Sequence, residues 1–186
     1  MSKVVLCLLL LTAPLTRALT SGSMRDDATA PRASFGASVR LISPSSNQAA
    51  NFELKDQYDK SYAYRFPKDR VSVLAFGDRA SSKQVEGWTL PLAERYQGRV
   101  DINGVAELPG VPSLSRGMVR RIIKSQVIYP VMLDWGGEVS KSYGYRGGRA
   151  AIFVINQQGH IVATRTGAAS AADLKTLYEQ IDRLVK

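Results

Sequence analysis

The chain has 186 residues, of which 45% are hydrophobic and 22% charged, and this composition excludes collagen-like and wholly disordered proteins. One cysteine, Cys7, and one histidine, His160, exclude a CxxC redox pair, a cysteine-rich zinc site and a histidine-based metal cluster, so we expect no metal and no cofactor. Lysine and arginine number 25 against 16 acidic residues, and the formal charge of +9 favours anionic partners.

The N-terminal residues have the pattern of an export signal. Lys3 is followed by the apolar run Val4–Leu11, which is too short to span a bilayer and fits the hydrophobic region of a secretory signal. Small residues follow between Ala18 and Ser23, where we expect cleavage. We therefore predict a signal peptide over residues 1–22, and a periplasmic or secreted protein with no transmembrane segment in its mature chain. A buried N-terminal strand is the alternative.

A polar segment precedes a single predicted domain. Residues 23–50 are rich in Ser, Ala, Pro and Asp, which predicts a flexible or loosely docked segment. Regular hydrophobic patterns begin at Asn51, so we place one domain over residues 51–186. It opens with a predicted β-hairpin, Phe52–Leu54 and Ser61–Phe66.

Strand and helix patterns alternate through this domain. Val71–Phe76 predicts a strand in the centre of a parallel sheet, and Phe153 lies in a second strongly apolar strand. A helix is predicted from Ser82 to Gln97, with Trp88 on its apolar face. The other predicted elements are the strand Val100–Ala106, a helix capped by Ser113, the strand Val131–Leu133, a short helix or turn Gly137–Tyr143, the strands Ala151–Ile155 and Ile161–Thr164, and a last helix capped by Ser170. This order predicts a mixed-sheet α/β domain.

The order of elements resembles the thioredoxin fold, and three segments carry the resemblance. Val71–Phe76 is similar to the strand before a thioredoxin active site. Gly137–Gly144 is similar to segments of the "GEVAKAYG" type, and Ala151–Val162 is similar to the "TFLIDxxGxIV" hairpin. Over residues 52–186 the resemblance implies a thioredoxin-like mixed β-sheet flanked by helices, with an N-terminal β-hairpin as an extension.

A narrower resemblance is to the YtfJ-like family of exported thioredoxin-fold proteins. It rests on Gly77–Lys83 after the central strand, on Pro109–Pro112, on Arg120, and on Tyr129 followed by Pro130. The role of that family is poorly defined. The resemblance therefore implies a fold and a compartment rather than an activity.

The sequence departs from thioredoxins at three positions. Ser81 and Gln84 stand where the two redox cysteines fall, and Ala150 stands where the cis-proline falls. A serine forms no disulfide, so the comparison implies a protein without thiol–disulfide oxidoreductase or peroxidase activity. A non-proline cis bond costs about 2.5–4 kcal/mol, so we expect a trans bond before Ala150. Signal cleavage would also remove Cys7, the one thiol of the chain.

Two interpretations of Ser81 stay open. Ser81-x-x-Gln84 at the start of an amphipathic helix is typical of a capping box, in which each side chain bonds a free backbone N–H. The rival is a hydrolytic nucleophile, which needs a base within hydrogen-bond reach. His160 is predicted in a turn at the far end of the sheet, and Lys83 is the remaining candidate base.

A helix start and two arginines are expected to meet on one face. The loop Arg146–Arg149 would lie opposite the helix N-terminus at Ser81 and Ser82, where free N–H groups and a guanidinium would favour a carboxylate, sulfate or phosphate. A salt bridge from Asp78 to one of these arginines is the alternative. The candidate ligand-binding residues are Ser81, Ser82, Arg149, Arg146, Asp78 and Arg79.

A second basic feature follows Ser113. Arg116, Arg120 and Lys124 recur every four residues and predict a cationic stripe on one helix face. This stripe is either a solvated face or a contact for an acidic protein or an anionic lipid. We expect no nucleic-acid partner, because no aromatic residues are interleaved for base stacking and no nucleic-acid motif is present.

Two functional hypotheses follow. In the first, the chain is an exported thioredoxin-fold protein without redox cysteines, which binds an anionic group or a protein partner through the former active-site face as a non-catalytic accessory protein. In the second, it is an enzyme or redox-pathway component of unknown chemistry. The sequence leaves the oligomeric state open.

Overall fold

The computed structural model describes residues 47–185. The predicted signal peptide over residues 1–22, and residues 23–46 of the segment predicted to be flexible, lie outside them. The elements in chain order are β1 (Phe52–Lys55), β2 (Ser61–Tyr64), β3 (Ser72–Gly77), α1 (Ser82–Tyr96), β4 (Asp101–Glu107), a 3-10 turn (Ser113–Ser115), α2 (Arg116–Gln126), β5 (Val131–Asp134), α3 (Glu138–Ser142), β6 (Ala151–Ile155), β7 (Ile161–Thr166) and α4 (Ala171–Asp182). Over this part of the chain, no helix combines the length and the apolar character that crossing a bilayer requires.

Five strands form one mixed sheet in the order β5-β4-β3-β6-β7. Strands β3, β4 and β5 run parallel, whereas β6 is antiparallel to both β3 and β7. Strands β1 and β2 form a separate antiparallel hairpin. The predicted fold class, a mixed sheet flanked by helices with an N-terminal β-hairpin extension, is confirmed.

Strand β3 lies at the centre and is buried along its whole length. Because successive side chains of a strand point to opposite faces, Val73 and Ala75 pack on one side of the sheet, and Leu74 and Phe76 pack on the other. The first side is covered by α1 and α4, which contribute Trp88, Leu92, Tyr96, Leu177 and Ile181. The second side is largely aromatic, with Tyr64, Phe76, Tyr143, Tyr145 and Phe153.

The residues just before β1 pack against the turn between β6 and β7. Gln48 forms an antiparallel bridge with His160, and Ala49 is buried, with its N–H donating to the Gly159 carbonyl at 2.8 Å. Gln48 and Ala49 belong to the segment predicted to be flexible or loosely docked, and they pack against the domain. His160 lies in this turn, at the end of the sheet opposite the start of α1, because β6 runs antiparallel to β3.

Two predicted caps have different outcomes. Ser170 caps α4 as predicted, since its hydroxyl accepts a hydrogen bond from the Asp173 N–H at 3.1 Å. Ser113 caps no helix, so that prediction is wrong. The chain is extended at Pro112 and then enters a 3-10 turn, which places Ser113 one turn before α2 begins at Arg116.

Candidate functional site

The candidate site lies where β3 passes into α1, beside the loop that leads to β6. Gly77 ends β3 here, and a Cβ on this residue would lie 2.5 Å from Cγ2 of Val85 in α1. A glycine therefore lets the helix approach the strand closely. The next residue, Asp78, opens the turn that places Ser81 at the N-cap position of α1.

Ser81 is fully buried, and its side chain bonds Asp78 and Tyr145, which lie outside α1. Its hydroxyl accepts from the Asp78 N–H at 2.9 Å, donates to Asp78 Oδ1 at 2.7 Å and lies 3.2 Å from the Tyr145 hydroxyl. It makes no side-chain capping bond to α1. The capping-box prediction for Ser81 is therefore wrong. The physical reason is that Asp78 bonds both functions of the hydroxyl: its carboxylate accepts the hydroxyl proton, and its N–H donates to the hydroxyl oxygen in place of a helix N–H.

The side chain of Gln84 likewise makes no capping bond at the start of α1 and bonds the loop before β6 instead. Its Oε1 accepts from the Ala150 N–H at 3.1 Å, which ties the first turn of α1 to the loop before β6. Between residues 47 and 185 the one cis peptide bond is that before Pro67, so the bond before Ala150 is trans, as predicted. The two positions where the thioredoxin comparison places cysteines therefore carry polar side chains that bond neighbouring elements.

Asp78 connects the start of α1 to the loop before β6. Besides its bonds to Ser81, its Oδ2 accepts from the Gly148 N–H at 2.6 Å. Burial raises the pKa of this carboxyl, but the hydrogen bonds from Gly148 and Ser81 outweigh burial and hold the pKa below its usual value. The loop Arg146–Arg149 therefore faces the start of α1, as the sequence predicts.

The arginines of this loop do not neutralise Asp78. Neither Arg146 nor Arg149 forms an ion pair with another residue between positions 47 and 185, so the salt-bridge alternative is wrong. The carboxylate bonds backbone N–H groups instead. Arg149 is exposed, and its guanidinium lies beside Gly167, which follows β7. A Cβ added to Gly167 would lie 2.8 Å from Nη2 of Arg149.

The remaining predicted ligand residues border the same face. Arg79 is exposed, and its carbonyl accepts from the Ser82 hydroxyl at 3.3 Å. The backbone N–H of Ser81 donates to Asp78 Oδ1 at 2.9 Å. The start of α1 thus already holds the carboxylate of Asp78, and the arginines lie outside it.

Two acidic residues near the site were missed by sequence analysis. Glu107 ends β4 and Asp134 ends β5, next to the end of β3 that leads to Asp78. Burial, together with the negative charges of Asp78 and Asp134, raises the pKa of Glu107. The sequence did contain a signal for them, because both residues follow predicted parallel strands, and the carboxyl ends of such strands meet at one edge of the sheet. In residues 47–185, no three acidic, His or Cys side chains come close enough to hold a metal ion.

The geometry does not favour Ser81 as a nucleophile. The side chain has no exposed surface, and the carboxylate beside it is a weak base because its pKa is lowered. His160 lies in the turn at the other end of the sheet. Lys83 is exposed on α1 and forms no recorded hydrogen bond or ion pair with Ser81.

The three residues of the predicted cationic stripe on α2 have different surroundings. The guanidinium of Arg116 lies 5.3 Å from the centre of the Trp135 ring, and Arg120 forms an ion pair with Asp59 at 3.0 Å. Both arginines are half-buried. Lys124 is exposed. The three basic residues therefore do not form one solvated row, because the two arginines lie on the inner side of the helix.

Comparison with solved structures identifies the fold. An exposed lipoprotein thioredoxin (Etrx1) from Streptococcus pneumoniae matches with a TM-score of 0.58 and 21% identity, over 70% of this chain and 99% of that one. StoA from Bacillus subtilis matches with a TM-score of 0.54 and 22% identity, over 69% and 96%. A thiol:disulfide interchange protein of the thioredoxin family from Chlorobium tepidum matches with a TM-score of 0.54 and 18% identity, over 75% and 97%. This chain has a thioredoxin-like fold.

The likeness is structural. No protein-family model matches the chain, and no curated protein matches it either. At identities of 18–22% these solved structures establish the fold and leave the activity to be argued from the site.

Proposed function

We propose that this chain is an exported, redox-inactive member of the thioredoxin-like superfamily, of the YtfJ-like kind that its motifs resemble, and that it binds a protein partner through the face around Asp78 and Arg149. The observation that carries this proposal is the bonding of Ser81 and Gln84. The resemblance to thioredoxins assigns these two positions to the redox cysteines, and their side chains bond Asp78, Tyr145 and the Ala150 N–H.

The absence of thiols at the site supports redox inactivity. Disulfide exchange proceeds through attack by a thiolate, and the single cysteine of the chain is Cys7, which precedes the domain. Ser81 has no redox chemistry, and its hydroxyl is buried. A thioredoxin-like fold with this site therefore binds or positions other molecules rather than transferring electrons.

The N-terminal sequence supports export. The apolar run Val4–Leu11 after Lys3 has the length and flanks of a secretory signal. One structural neighbour is described as an exposed lipoprotein thioredoxin, and others are thiol:disulfide interchange proteins. A fold of this kind outside the cytoplasm, without cysteines at its site, fits an accessory role.

The exposed arginines indicate an acidic partner group. Arg146 and Arg149 lie on a loop whose backbone is fixed by the bond from Gly148 to Asp78, and neither forms an ion pair within the described part of the chain. Asp78 already occupies the start of α1, and Glu107 adds a second negative charge nearby. A small anion would be repelled there, so we place the contact at the outer edge, where arginine can bind a partner's carboxylate in a bidentate way.

A titration followed by NMR tests this contact. Tetraglutamate peptide and, separately, inorganic phosphate are added to the full chain while the amide signals of Ser81, Ser82, Gly147 and Gly148 are recorded. We expect saturable shifts of the Gly147 and Gly148 signals with the peptide, and their loss in the double variant Arg146→Ala/Arg149→Ala.

The control variant is Arg183→Ala, which removes one exposed arginine just after α4. It should bind the peptide as the wild type does. Equal, non-saturating shifts in all three proteins would overturn the contact. Saturable shifts of the Ser81 and Ser82 signals with phosphate would instead indicate an anion site at the start of α1. For the alternative, an enzyme or redox-pathway component of unknown chemistry, the described residues offer no specific observation.

A further inference from the structure

The five-stranded sheet has two edges, and residues of the N-terminal hairpin cover the edge at β5. Asp56 forms an antiparallel bridge with Met132, and Oε1 of Gln57 accepts from the Val131 N–H at 2.8 Å. An uncovered edge presents a row of backbone donors and acceptors on which another strand can pair, and native proteins commonly protect it. The same physical requirement applies to the edge at β7.

The beginning of the β7 edge is covered by the first residues that the structure describes. Gln48 forms an antiparallel bridge with His160, and the Ile161 N–H donates to the Asn47 carbonyl at 2.7 Å. Because this pairing is antiparallel, going back along the chain from Asn47 corresponds to going forward along β7, toward its end at Thr166.

The second half of the β7 edge has unused backbone donors within the described part of the chain. The Gly167 N–H donates to the Ala150 carbonyl at 2.7 Å, so it faces β6. Because backbone groups alternate in direction along a strand, those of Thr164 and Thr166 face away from β6, and neither N–H bonds another described residue. The Thr164 carbonyl accepts from the Arg165 guanidinium at 2.8 Å and keeps a second lone pair. This half of the edge can therefore accept a further strand.

A groove of about 380 Å³ lies beside this half of the edge. Its lining includes Asn47 and Thr164, together with Tyr143 after α3 and Phe153 of β6. The groove therefore begins at the first described residue. Ala49 packs on the aromatic side of the sheet, as Tyr143 and Phe153 do, and alternate residues of a strand share one side. Side chains at positions 47, 45 and 43 of an extended chain would therefore face the groove.

We propose that residues 43–46 add a sixth strand to the sheet, antiparallel to β7 and beside this groove. The occupant is the chain itself, because these residues directly precede Asn47, whose carbonyl already bonds Ile161. Four extended residues reach about 13 Å, which is enough to follow β7 to Thr166. A second copy or a separate peptide would have to compete with a segment that is tethered at the start of the edge and therefore present at high effective concentration.

A bulge in β7 sets the register of this pairing. Strand β7 has one residue more than β6 at this point, because Ile155 pairs with Ile161 while Val154 pairs with Ala163. With the extra residue counted, the bond at Asn47 places position 45 opposite residue 164 and position 43 opposite residue 166. The Asn47 carbonyl faces β7, so the backbone groups two and four residues earlier face it as well.

The residues at these positions suit that register. Since the backbone groups of Ser43 and Ser45 would face β7, the nitrogen of Pro44 would face away from it. Proline has no N–H to donate, and within sheets it is found at edges with its nitrogen toward solvent. A proline there also hinders the pairing of yet another strand on the outside. The pair of Ser45 and Thr164 would place two hydroxyls opposite each other, which is a favourable pairing across strands.

Hydrogen exchange of single amides, followed by NMR in the full chain, tests the proposal. We expect the Thr164 and Thr166 amides to exchange roughly tenfold or more slowly than in an unstructured chain, because the added strand bonds them. The Gly167 amide, which bonds Ala150, is the internal reference and should be protected in every variant.

Two proline variants that differ by one position test the register. Ser45→Pro removes an N–H that would face β7, so exchange at Thr164 should become roughly two- to tenfold faster, as expected for the loss of one hydrogen bond. Ser46→Pro is the matched control, because it removes an N–H that would face away from β7, and exchange at Thr164 should stay as in the wild type. Circular dichroism verifies that both variants are folded.

Disulfide cross-linking identifies the occupant of the edge. In a Cys7→Ser background, Ser45→Cys/Thr164→Cys would place two thiols opposite each other within the range of a disulfide. Mild oxidation should give a disulfide within one chain, mapped by proteolysis without reductant. The control Ser46→Cys/Thr164→Cys, whose thiols would lie on opposite sides of the sheet, should oxidise roughly tenfold or more slowly.

Exchange of the Thr164 and Thr166 amides at the rate of an unstructured chain would overturn the proposal. Equal effects of Ser45→Pro and Ser46→Pro would overturn it as well. A disulfide between chains, or amide protection that increases with protein concentration, would show that a second copy pairs with β7 instead, and the proposal would be wrong. Arg146 and Arg149 take no part in this pairing, so the outcome is independent of the function proposed above.

Discussion

The Ser81 hydroxyl donates a hydrogen bond to the Asp78 carboxylate, with 2.7 Å between Oγ and Oδ1. The other oxygen of that carboxylate accepts from the Gly148 N–H at 2.6 Å. One side chain thus connects the start of α1 to the loop before β6. At the place where the thioredoxin comparison expects a reactive thiol, the chain has a buried polar network that fixes local structure.

Replacing the Ser81 hydroxyl should destabilise the domain. Ser81→Ala leaves the Asp78 N–H and the Tyr145 hydroxyl without a partner in a buried place, and we expect a loss of about 1–3 kcal/mol in the free energy of unfolding. Urea denaturation of the wild type, Ser81→Ala, Tyr145→Phe and the double variant measures the loss. The two changes should not be additive, because the hydroxyls share one network. An unchanged unfolding midpoint in Ser81→Ala would contradict this role.

The pH dependence of stability should reveal Asp78. Its pKa is lowered in the folded state, so it contributes stability above the unfolded value of about 3.9, and this contribution is lost as the pH falls through the folded pKa. Asp78→Asn should therefore be less stable than the wild type at neutral pH, and the difference should shrink in acid. Thermal unfolding between neutral pH and pH ~3 checks this, and a constant difference would contradict it.

Glu107 should behave in the opposite way. Burial and the neighbouring negative charges raise its pKa in the folded state, so its ionised form destabilises the fold above that pKa. Glu107→Gln should therefore be more stable than the wild type at neutral pH. Its advantage should vanish below the unfolded value of about 4.3. A Glu107→Gln protein that is less stable than the wild type at neutral pH would contradict this prediction, because the carboxylate would then make a net favourable contact in the folded state.

The hydrophobic patterns determined most of the architecture. Strands such as Ala151–Ile155 are fully buried, and the run of apolar residues that made the strand predictable is also what holds it in the sheet. The buried face of α1 was likewise predictable, because helical spacing places Trp88, Leu92 and Tyr96 on one side of the helix.

The details of the site depend on contacts across the chain. The orientation of Ser81 could not be predicted, since it depends on Asp78 and on Tyr145, which is 64 residues away. The raised pKa of Glu107 depends on charges at the ends of neighbouring strands. On α2, spacing correctly grouped Arg116 with Arg120, but Trp135 and Asp59 decide that this side of the helix faces inward.

The core offers a further stability test at Trp88. Its ring is 1% exposed between α1 and the sheet, and its Nε1–H donates to the Gly167 carbonyl at 2.8 Å. Trp88→Ala should cost about 3–5 kcal/mol, and Trp88→Phe should cost less because it keeps most of the buried volume. Denaturant unfolding compares both with Leu90→Ala, an exposed neighbour that should have little effect. A Trp88→Ala domain as stable as this control would refute the packing of α1.

The central claim, that this thioredoxin-like domain carries no thiol chemistry, is tested most directly by the reduction of insulin in the presence of dithiothreitol. The full chain and Cys7→Ser are compared with an active thioredoxin and with buffer. Both forms of the chain should give the uncatalysed rate, because disulfide exchange needs a thiolate and residues 51–186 contain no cysteine. Catalysis above the buffer rate by Cys7→Ser, which has no cysteine at all, would contradict it.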